Sequence, residues 1–281
     1  MSKFLAVYFP EWQGYAEDNS VLKGAQTVFK ELSKELEFKP IHVEEHEHLE
    51  EKKLIIGYES IFNSYHEFKE LLQKEEPTHT FLLGGTCGSE LAPVSYLNKK
   101  YEGDLAVLWF DGHGDLNTPA SSGSKHFHGM PLRTLIGEGD QTFTDNLFSH
   151  LQPEQVILVG VRDLDDPEKE YVEEANISWL TPQSLAENPN IIVDEINRKG
   201  YKNVYLHLDL DILDPESFVH MLLHVPGGIS LELLSVLIRT INGSFPIVGS
   251  SLLEFVQRGE GGTNEVKELV DLLLEQVKTS K

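Results

Sequence analysis

The sequence contains only one cysteine, Cys87, among its 281 residues. A single thiol excludes an intrachain disulfide and gives no sign of secretion. Long apolar runs are lacking too, because the run within MSKFLAVYFPEW is too short for a signal peptide or a membrane span. These absences predict a soluble, cytoplasmic protein with no membrane partner.

Basic residues are also scarce. The chain has 23 Lys and Arg against 46 Asp and Glu, a formal net charge of -23. This balance disfavours nucleic acid and anionic membrane surfaces as partners. The length suits one large α/β domain, and nothing resembling a linker divides it, so we expect a single domain over residues 1–281.

The most informative stretch is residues 105–133. Its apolar run, Leu105 to Phe110, predicts a strand buried on both faces. Asp111, His113 and Asp115 follow on alternate residues, which share a face of an extended segment. Buried charges need a partner, and a divalent cation is one; mixed Asp and His ligation suits Mn, Fe, Co or Zn. The alternative is a polar loop whose acids cap the next helix.

A second stretch, VYLHLDLDILDP at residues 204–215, repeats this design. An apolar strand brings Asp209 and Asp211 to one face at its carboxyl end. Two strands that each end in alternating acids favour a dinuclear metal site over a single ion.

Strands alternate with helices along the chain, which predicts a mostly parallel sheet between helical layers. Such sheets carry their sites at the carboxyl ends of the strands. The last strand is predicted at Ile247 to Phe255, with Glu254 near its end. Polar residues lie at the carboxyl ends of five predicted strands, and these are Cys87, Asp111, Asp163, Asp165, Asp209, Asp211 and Glu254. We therefore expect the site at that edge of the sheet.

Six motifs follow one another along the chain. They are DGHGD at 111–115, LNTP at 116–119, HGMP at 128–131, VGVRDLD at 159–165, DLDILDP at 209–215 and VPGGIS at 225–230. In sequence and in order they resemble the motifs of the ureohydrolases, the arginase, agmatinase and formimidoylglutamase family. The chain resembles the arginase-like members. The resemblance implies a three-layer α/β/α sandwich with about eight mostly parallel strands, a dinuclear manganese centre and a homo-oligomer. It also implies hydrolysis of a guanidino or formimino compound, in which a metal-bridged hydroxide attacks the guanidino carbon and releases urea and an amine.

The resemblance also assigns metal ligands. Asp111 and Asp209 match the bridging carboxylates. His113 and Asp211 match the other ligands of one metal, and Asp115 matches a ligand of the second metal. The physics agrees, because two cations lower the pKa of bound water and supply a nucleophile at neutral pH.

Further residues match catalytic and substrate-binding positions. His128 matches the histidine that shuttles a proton, and Glu254 matches the acid that orients the guanidinium; with Asp115 they form the predicted catalytic set. Asn117, Ser124 and Asp165 match positions that hold the amino-acid end of arginine. His126 stands where arginases place asparagine, and we expect it to contact the substrate.

The chain departs from the family at Cys87, which stands where a histidine ligand is usual. A thiolate ligand would favour Zn, Fe or Co over Mn. A buried thiol that binds no metal is the alternative. Residues 217–224 replace small residues by SFVHMLLH, which predicts a bulkier wall and leaves His220 and His224 as possible replacement ligands.

Three functions remain open at this stage. The first is a metal-dependent hydrolase of a guanidino or formimino compound. The second is a catalytically weak or inactive relative that acts as a binding or regulatory protein with an impaired metal site. The third, a dinuclear phosphoesterase, is disfavoured because Glu254 would repel phosphate.

Overall fold

The computed structural model describes residues 3–45 and 48–279. The strands are β1 (Phe4–Phe9), β2 (Phe38–Pro40), β3 (Glu51–Lys52), β4 (Ile55–Ile56), β5 (His79–Gly84), β6 (Ala106–Phe110), β7 (Val156–Val159), β8 (Ser178–Leu180), β9 (Val204–Leu208) and β10 (Ile247–Leu252). Eight of them form one sheet in the order β2-β1-β5-β10-β9-β6-β7-β8, and every neighbouring pair is parallel. β3 and β4 form a separate antiparallel hairpin.

Helices cover both faces of the large sheet. They are α1 (Ser20–Leu32), α2 (Tyr58–Glu75), α3 (Leu91–Lys100), α4 (Pro131–Leu135), α5 (Gln141–Asn146), α6 (Asp166–Glu174), α7 (Pro182–Glu187), α8 (Ile191–Lys199), α9 (Leu231–Asn242), α10 (Thr263–Leu273) and α11 (Glu275–Thr279). One apolar core joins the sheet to α2 through α6, and the other joins it to α1 and α7 through α10. The predicted three-layer α/β/α sandwich with eight parallel strands is confirmed. The single-domain assignment stays a prediction.

The inner strands are apolar on both faces because helices cover both. In β9, Val204, Leu206 and Leu208 belong to one core, whereas Tyr205 belongs to the other. No helix among the described residues is both long enough and apolar enough to cross a membrane.

The sheet brings its central strand ends together. β5, β10, β9, β6 and β7 are consecutive in the sheet, and the predicted polar residues follow these five strands. The prediction for the last strand was wrong in its end point, because β10 ends at Leu252. Glu254 instead lies in a left-handed backbone conformation with φ of 58°, which ends regular pairing.

Candidate active site

A cavity of about 220 Å³ opens at the carboxyl ends of these five strands. Its lining consists of Cys87, Asp111, His113, Asp115, Asn117, His128, Gly129, Asp163, Asp165, Glu168, Asp209, Leu223 and Glu254. Nine of these residues were predicted from the sequence as site residues. The strands that deliver them are packed in the core, so the side chains are held on a rigid part of the fold.

The turn after β6 orients two of the predicted ligands. The backbone N–H of His113 donates a hydrogen bond to Asp111 Oδ1 at 2.6 Å. Asp115 is buried and has a φ of 54°, a conformation that is uncommon for residues other than glycine. Its carbonyl accepts hydrogen bonds from the N–H groups of Leu132 and Arg133 at 3.1 and 3.2 Å, which hold the turn against the start of α4.

The turn after β9 meets the turn after β6. Asp211 Oδ2 lies 2.8 Å from His113 Nδ1, and Asp211 Oδ1 accepts a hydrogen bond from the Gly112 N–H at 2.7 Å. Asp209 Oδ1 accepts a hydrogen bond from the Asp211 N–H at 2.8 Å. The Cys87 thiol lies within hydrogen-bonding distance of the other Asp209 oxygen, with an S···O separation of 3.0 Å. Residues from three strand ends are thus in direct contact.

Side chains suited to metal binding form two groups that share Asp111. The first ligand group is Cys87, Asp111, Asp115 and His207, and the second ligand group is Asp111, His113 and Asp211. Within each group the potential ligand atoms lie within 4.8 Å of one another. Asp209 forms a further set with Cys87 and Glu254. One shared carboxylate between two groups is the arrangement that a bridged pair of cations requires.

Among the potential ligands, burial raises the pKa of three carboxyl groups, those of Asp115, Asp209 and Asp211, the last to about 6. Repulsion from neighbouring carboxylates adds to the burial effect in each case. The pKa of the Cys87 thiol is also raised, first by burial and then by the charges of Asp115 and Asp209. The protein alone therefore provides too little positive charge for these groups to ionise together.

Asp111 behaves in the opposite way. Burial would raise its pKa, but hydrogen bonds from His113 and His207 outweigh burial and hold the pKa of Asp111 below its usual range. Burial alone would lower the pKa of His113. The charge of nearby Asp211, and the hydrogen bonds that His113 forms with Asp111 and Asp211, instead raise that pKa well above the usual range. The shared carboxylate is thus the group most ready to accept a cation.

One buried carboxylate oxygen of the first ligand group is left without a hydrogen bond in the described part of the chain. Asp115 Oδ2 has no hydrogen-bond partner among the described residues. Leaving a buried carboxylate oxygen unpaired is costly, and metal coordination is one way to satisfy it. The oxygen, nitrogen and sulfur donors of the two ligand groups fit divalent transition-metal ions.

Glu254 and His128 contact each other in the lining of the cavity, beside Cys87. His128 Nδ1 lies 3.2 Å from Glu254 Oε1, and the Cys87 N–H donates to the same oxygen at 3.4 Å. The backbone N–H of Glu254 donates to Gly85 O at 2.8 Å, so the segment directly after β5 holds the left-handed turn. Glu254 is almost fully buried, and its carboxylate is available to a cation inside the cavity.

The predicted substrate-binding residues separate into two sets. Asn117 and Asp165 line the cavity, and Asn117 Nδ2 donates to Asp165 Oδ2 at 2.8 Å. Ser124 and His126 lie outside the lining. Ser124 is exposed and accepts a hydrogen bond from the His126 N–H at 3.2 Å, whereas the His126 ring packs edge-on against Tyr15. Substrate contact by these two residues stays a prediction.

The two histidines considered as replacement ligands lie elsewhere. His220 Nδ1 accepts a hydrogen bond from the Arg258 N–H at 3.1 Å, and His224 Nε2 lies 3.1 Å from Val219 O. Neither belongs to a group of potential ligands in the described part of the chain. Of the bulky segment that carries them, Leu223 lines the cavity.

Sequence reasoning missed Glu168, a buried acid in the cavity lining, and three buried polar residues beside it: Glu11, Glu90 and His207. Glu11 accepts a hydrogen bond from Thr86, next to Cys87, and His207 lies between Glu90 and Asp111. A signal for His207 was present, because a histidine two residues before Asp209 must share its face of the strand. Nothing comparable marked Glu11 and Glu90, whose side-chain partners lie far away in sequence.

Comparisons with known proteins bear on this site. A family model described as the arginase family matches residues 19–256. An arginase from Staphylococcus aureus (strain COL) is 30% identical over 197 residues, 68% of this chain, and the match spans 65% of the relative's length, slightly under two thirds. An arginase structure from Entamoeba histolytica, in complex with L-ornithine, is similar with a TM-score of 0.85 at 23% identity, covering 98% of this chain and 99% of that one. A formimidoylglutamase structure from Bacillus subtilis has a TM-score of 0.75 at 16% identity, covering 99% and 88%. At these identities the two structures show a shared fold.

Proposed function

Because the chain belongs to the arginase family, we propose that it is a metal-dependent hydrolase of a guanidino or formimino compound. The observation that carries the proposal is the pair of ligand groups that share Asp111, a residue of the cavity lining. A guanidino carbon is a poor electrophile, so hydrolysis needs an activated water. Two bound divalent ions would supply it by lowering the pKa of that water.

The thiol, imidazole and carboxylate side chains that we propose as metal ligands are those of Cys87, His113, Asp111, Asp115, Asp209 and Asp211. Their carboxyl groups have opposed pKa shifts, with that of Asp111 lowered and those of Asp115 and Asp209 raised. A cation removes the repulsion that raises them, because it stabilises every ionised carboxylate around it. Metal identity and the presence of both ions are part of the proposal.

Glu254 and His128 act on the substrate in this proposal. The Glu254 carboxylate pairs with the planar guanidinium and orients it. His128, whose ring lies 3.2 Å from that carboxylate, delivers a proton to the departing amine nitrogen. The contact between the two side chains supports this division of roles, because one substrate can touch both.

The charge of the cavity favours substrates with a cationic remote end. The described residues that line the cavity include Asn117, Asp163 and Asp165 but no Lys or Arg. The ammonium group of Lys125, which lies outside the lining, donates to the carbonyls of Pro119 and Ser122. Arginine and other guanidino compounds with an amino group therefore fit better than formimino diacids.

A substrate panel tests this proposal. We expect the protein, loaded in turn with Mn, Co, Zn and Fe(II), to release urea from at least one guanidino compound. Glu254→Gln should keep the metal content and lower kcat/KM by roughly 10- to 100-fold, because a hydrogen bond to a charged group contributes about 1.5–3 kcal/mol. The exposed Glu173→Gln is the matched control. Metal-loaded protein that turns over none of the panel would contradict the proposal.

The second candidate function is a binding or regulatory protein with an impaired metal site. Cys87 favours it, because burial keeps the thiol protonated in the protein alone and a neutral thiol is a weak ligand. Equilibrium dialysis distinguishes the two functions. Folded protein that takes up no divalent ion would favour the binding role, and two ions per chain would favour the hydrolase.

A further inference from the structure

His207 is a fully buried histidine inside an otherwise apolar strand. It belongs to β9, on the face that carries Tyr205 and, two residues further on, Asp209. Its ring stacks on Trp109 of the neighbouring strand, with a centroid separation of 3.5 Å and an interplanar angle of 6°. The stack fixes the ring plane, so the two nitrogens point in defined directions.

One of these nitrogens is held by a buried carboxylate. His207 Nδ1 lies 3.0 Å from Glu90 Oε1, and the other Glu90 oxygen accepts a hydrogen bond from the Tyr205 hydroxyl at 2.5 Å. A carboxylate at Nδ1 favours the tautomer in which Nδ1 carries the proton and Nε2 presents its lone pair. Metal-binding histidines are oriented in this way, by a carboxylate or carbonyl on the nitrogen away from the metal.

The other nitrogen faces the first ligand group. His207 Nε2 lies 3.4 Å from Asp111 Oδ2 and 3.7 Å from Cys87 Sγ, and Sγ lies 3.9 Å from the same Asp111 oxygen. Around a tetrahedral ion with usual bond lengths, S, N and O ligand atoms are roughly 3.3–3.6 Å apart. The three atoms are thus close to the spacing that one ion would impose. Asp115, with its unpartnered Oδ2, completes the set of four.

We propose that His207, on β9, and Cys87, in the segment after β5, bind one metal ion together, and that His207 supplies to this ion the imidazole that position 87 lacks. The inference rests on the proposed metal-dependent function and specifies which residues hold its first ion. A thiolate, an imidazole and carboxylates form a softer donor set than carboxylates and imidazole alone. The first ligand group therefore selects Zn, Co or Fe(II) over Mn.

The alternative is a purely structural role, in which a protonated His207 forms an ion pair with Asp111 and Glu90 and Cys87 donates to Asp209. Both roles require His207 for stability, so loss of activity in a variant would not separate them. Direct observation of the ligands does separate them.

X-ray absorption on zinc-loaded, full-length protein is the first experiment. We expect sulfur scattering at about 2.3 Å together with imidazole scattering, and we expect Cys87→Ser to lose the sulfur component. Two bound ions with no sulfur component would overturn the inference and leave the proposed hydrolase intact. Sulfur-bound zinc without turnover of any guanidino compound would instead overturn the function alone.

Metal affinity of variants is the second experiment, with circular dichroism as the check on folding. His207→Gln should weaken zinc binding at one site by at least about 10-fold, as ligand or supporting-residue changes do. His220→Gln removes a buried histidine away from the cavity and should leave both affinities unchanged. Unchanged zinc affinity in His207→Gln would overturn the inference. If His207→Gln does not fold, two other results decide the question. One is the X-ray absorption of the wild type. The other is zinc binding by Glu90→Gln, which should be weakened similarly because the carboxylate that favours the binding tautomer of His207 is lost.

Discussion

Glu11 is a buried acid that contacts the site without lining the cavity. Its Oε1 accepts a hydrogen bond from the Gly14 N–H at 2.7 Å, and its other oxygen accepts one from the Thr86 hydroxyl. Burial is the main reason that the pKa of Glu11 rises from 4.5 to about 7; the hydrogen bonds oppose it only in part. At pH values between 4.5 and about 7, Glu11 keeps its proton in the folded protein, whereas the unfolded chain has lost it. The stability that this group contributes therefore falls as the pH rises.

Glu11→Gln should remove this pH dependence, because glutamine keeps the shape and stays neutral. We expect the variant to gain stability relative to the wild type as the pH rises from about 5 to about 8. The pKa shift of Glu11 sets an upper bound on the order of 3 kcal/mol. Urea unfolding of chelator-treated protein at both pH values measures the difference. Glu173→Gln, at an exposed position, should show no such change, and an equal change in both variants would refute the assignment.

At the scale of elements, α1 packs against the segment that carries Glu254. A Cβ at Gly24 would lie 1.8 Å from Phe255 O, far inside any tolerated contact. A glycine inside a helix ordinarily costs about 1 kcal/mol relative to alanine. Here the close approach of the backbone reverses that preference, because the helix rests directly on the residue after Glu254.

Gly24→Ala should therefore destabilise the protein by about 1–3 kcal/mol, the usual effect of overpacking. It should also lower kcat/KM, since the displaced segment carries the carboxylate that we propose for substrate orientation. The control is Gly243→Ala at the end of α9, where the nearest atom to a new Cβ is Arg239 O at 3.5 Å and no positive φ is needed. Denaturant unfolding and assays of both variants test the contact, and equal stability would show that α1 has room to move.

Sequence patterns specified the elements better than their ends. Alternation after a buried strand predicted Asp111, His113 and Asp115 in one cavity, because period-two geometry and the parallel sheet follow from local sequence. The Ser230 cap of α9 is local in the same way, and its side chain accepts a hydrogen bond from the Leu233 N–H. The left-handed turn at Glu254 was missed because its backbone N–H binds Gly85, in the segment after β5, which is far away in sequence.

Polar residues inside largely apolar elements were the hardest to assign a role from the sequence. His207 belongs to a strand and Glu90 to a short 3₁₀ helix, and 117 positions separate them along the chain. Their pairing exists only because β9 and the segment after β5 meet on one face of the sheet. Sequence periodicity identifies which face a residue occupies, but partner choice across that distance depends on packing.

The whole molecule carries a net charge of -23, so electrostatic repulsion opposes its folding into a compact state. Acids concentrated around the cavity add a local component, which the raised pKa values of Asp115 and Asp209 reflect together with burial. Cations can relieve this repulsion in two ways. Salt screens the whole surface, whereas a coordinated divalent ion acts only where ligands surround it.

Removing metal should lower the melting temperature of the protein, and restoring zinc or cobalt should raise it. An ion at about 100 times its dissociation constant contributes roughly 2.7 kcal/mol, which for a chain of this size corresponds to a rise of at least about 5 °C. Differential scanning calorimetry after chelation measures the rise. Magnesium at equal ionic strength controls for screening, because it prefers all-oxygen sites. Asp111→Asn, which changes the carboxylate shared by both ligand groups, should abolish most of the rise given by zinc. A rise as large with magnesium, or in the variant, would mean that general screening and not a coordinated ion stabilises the fold.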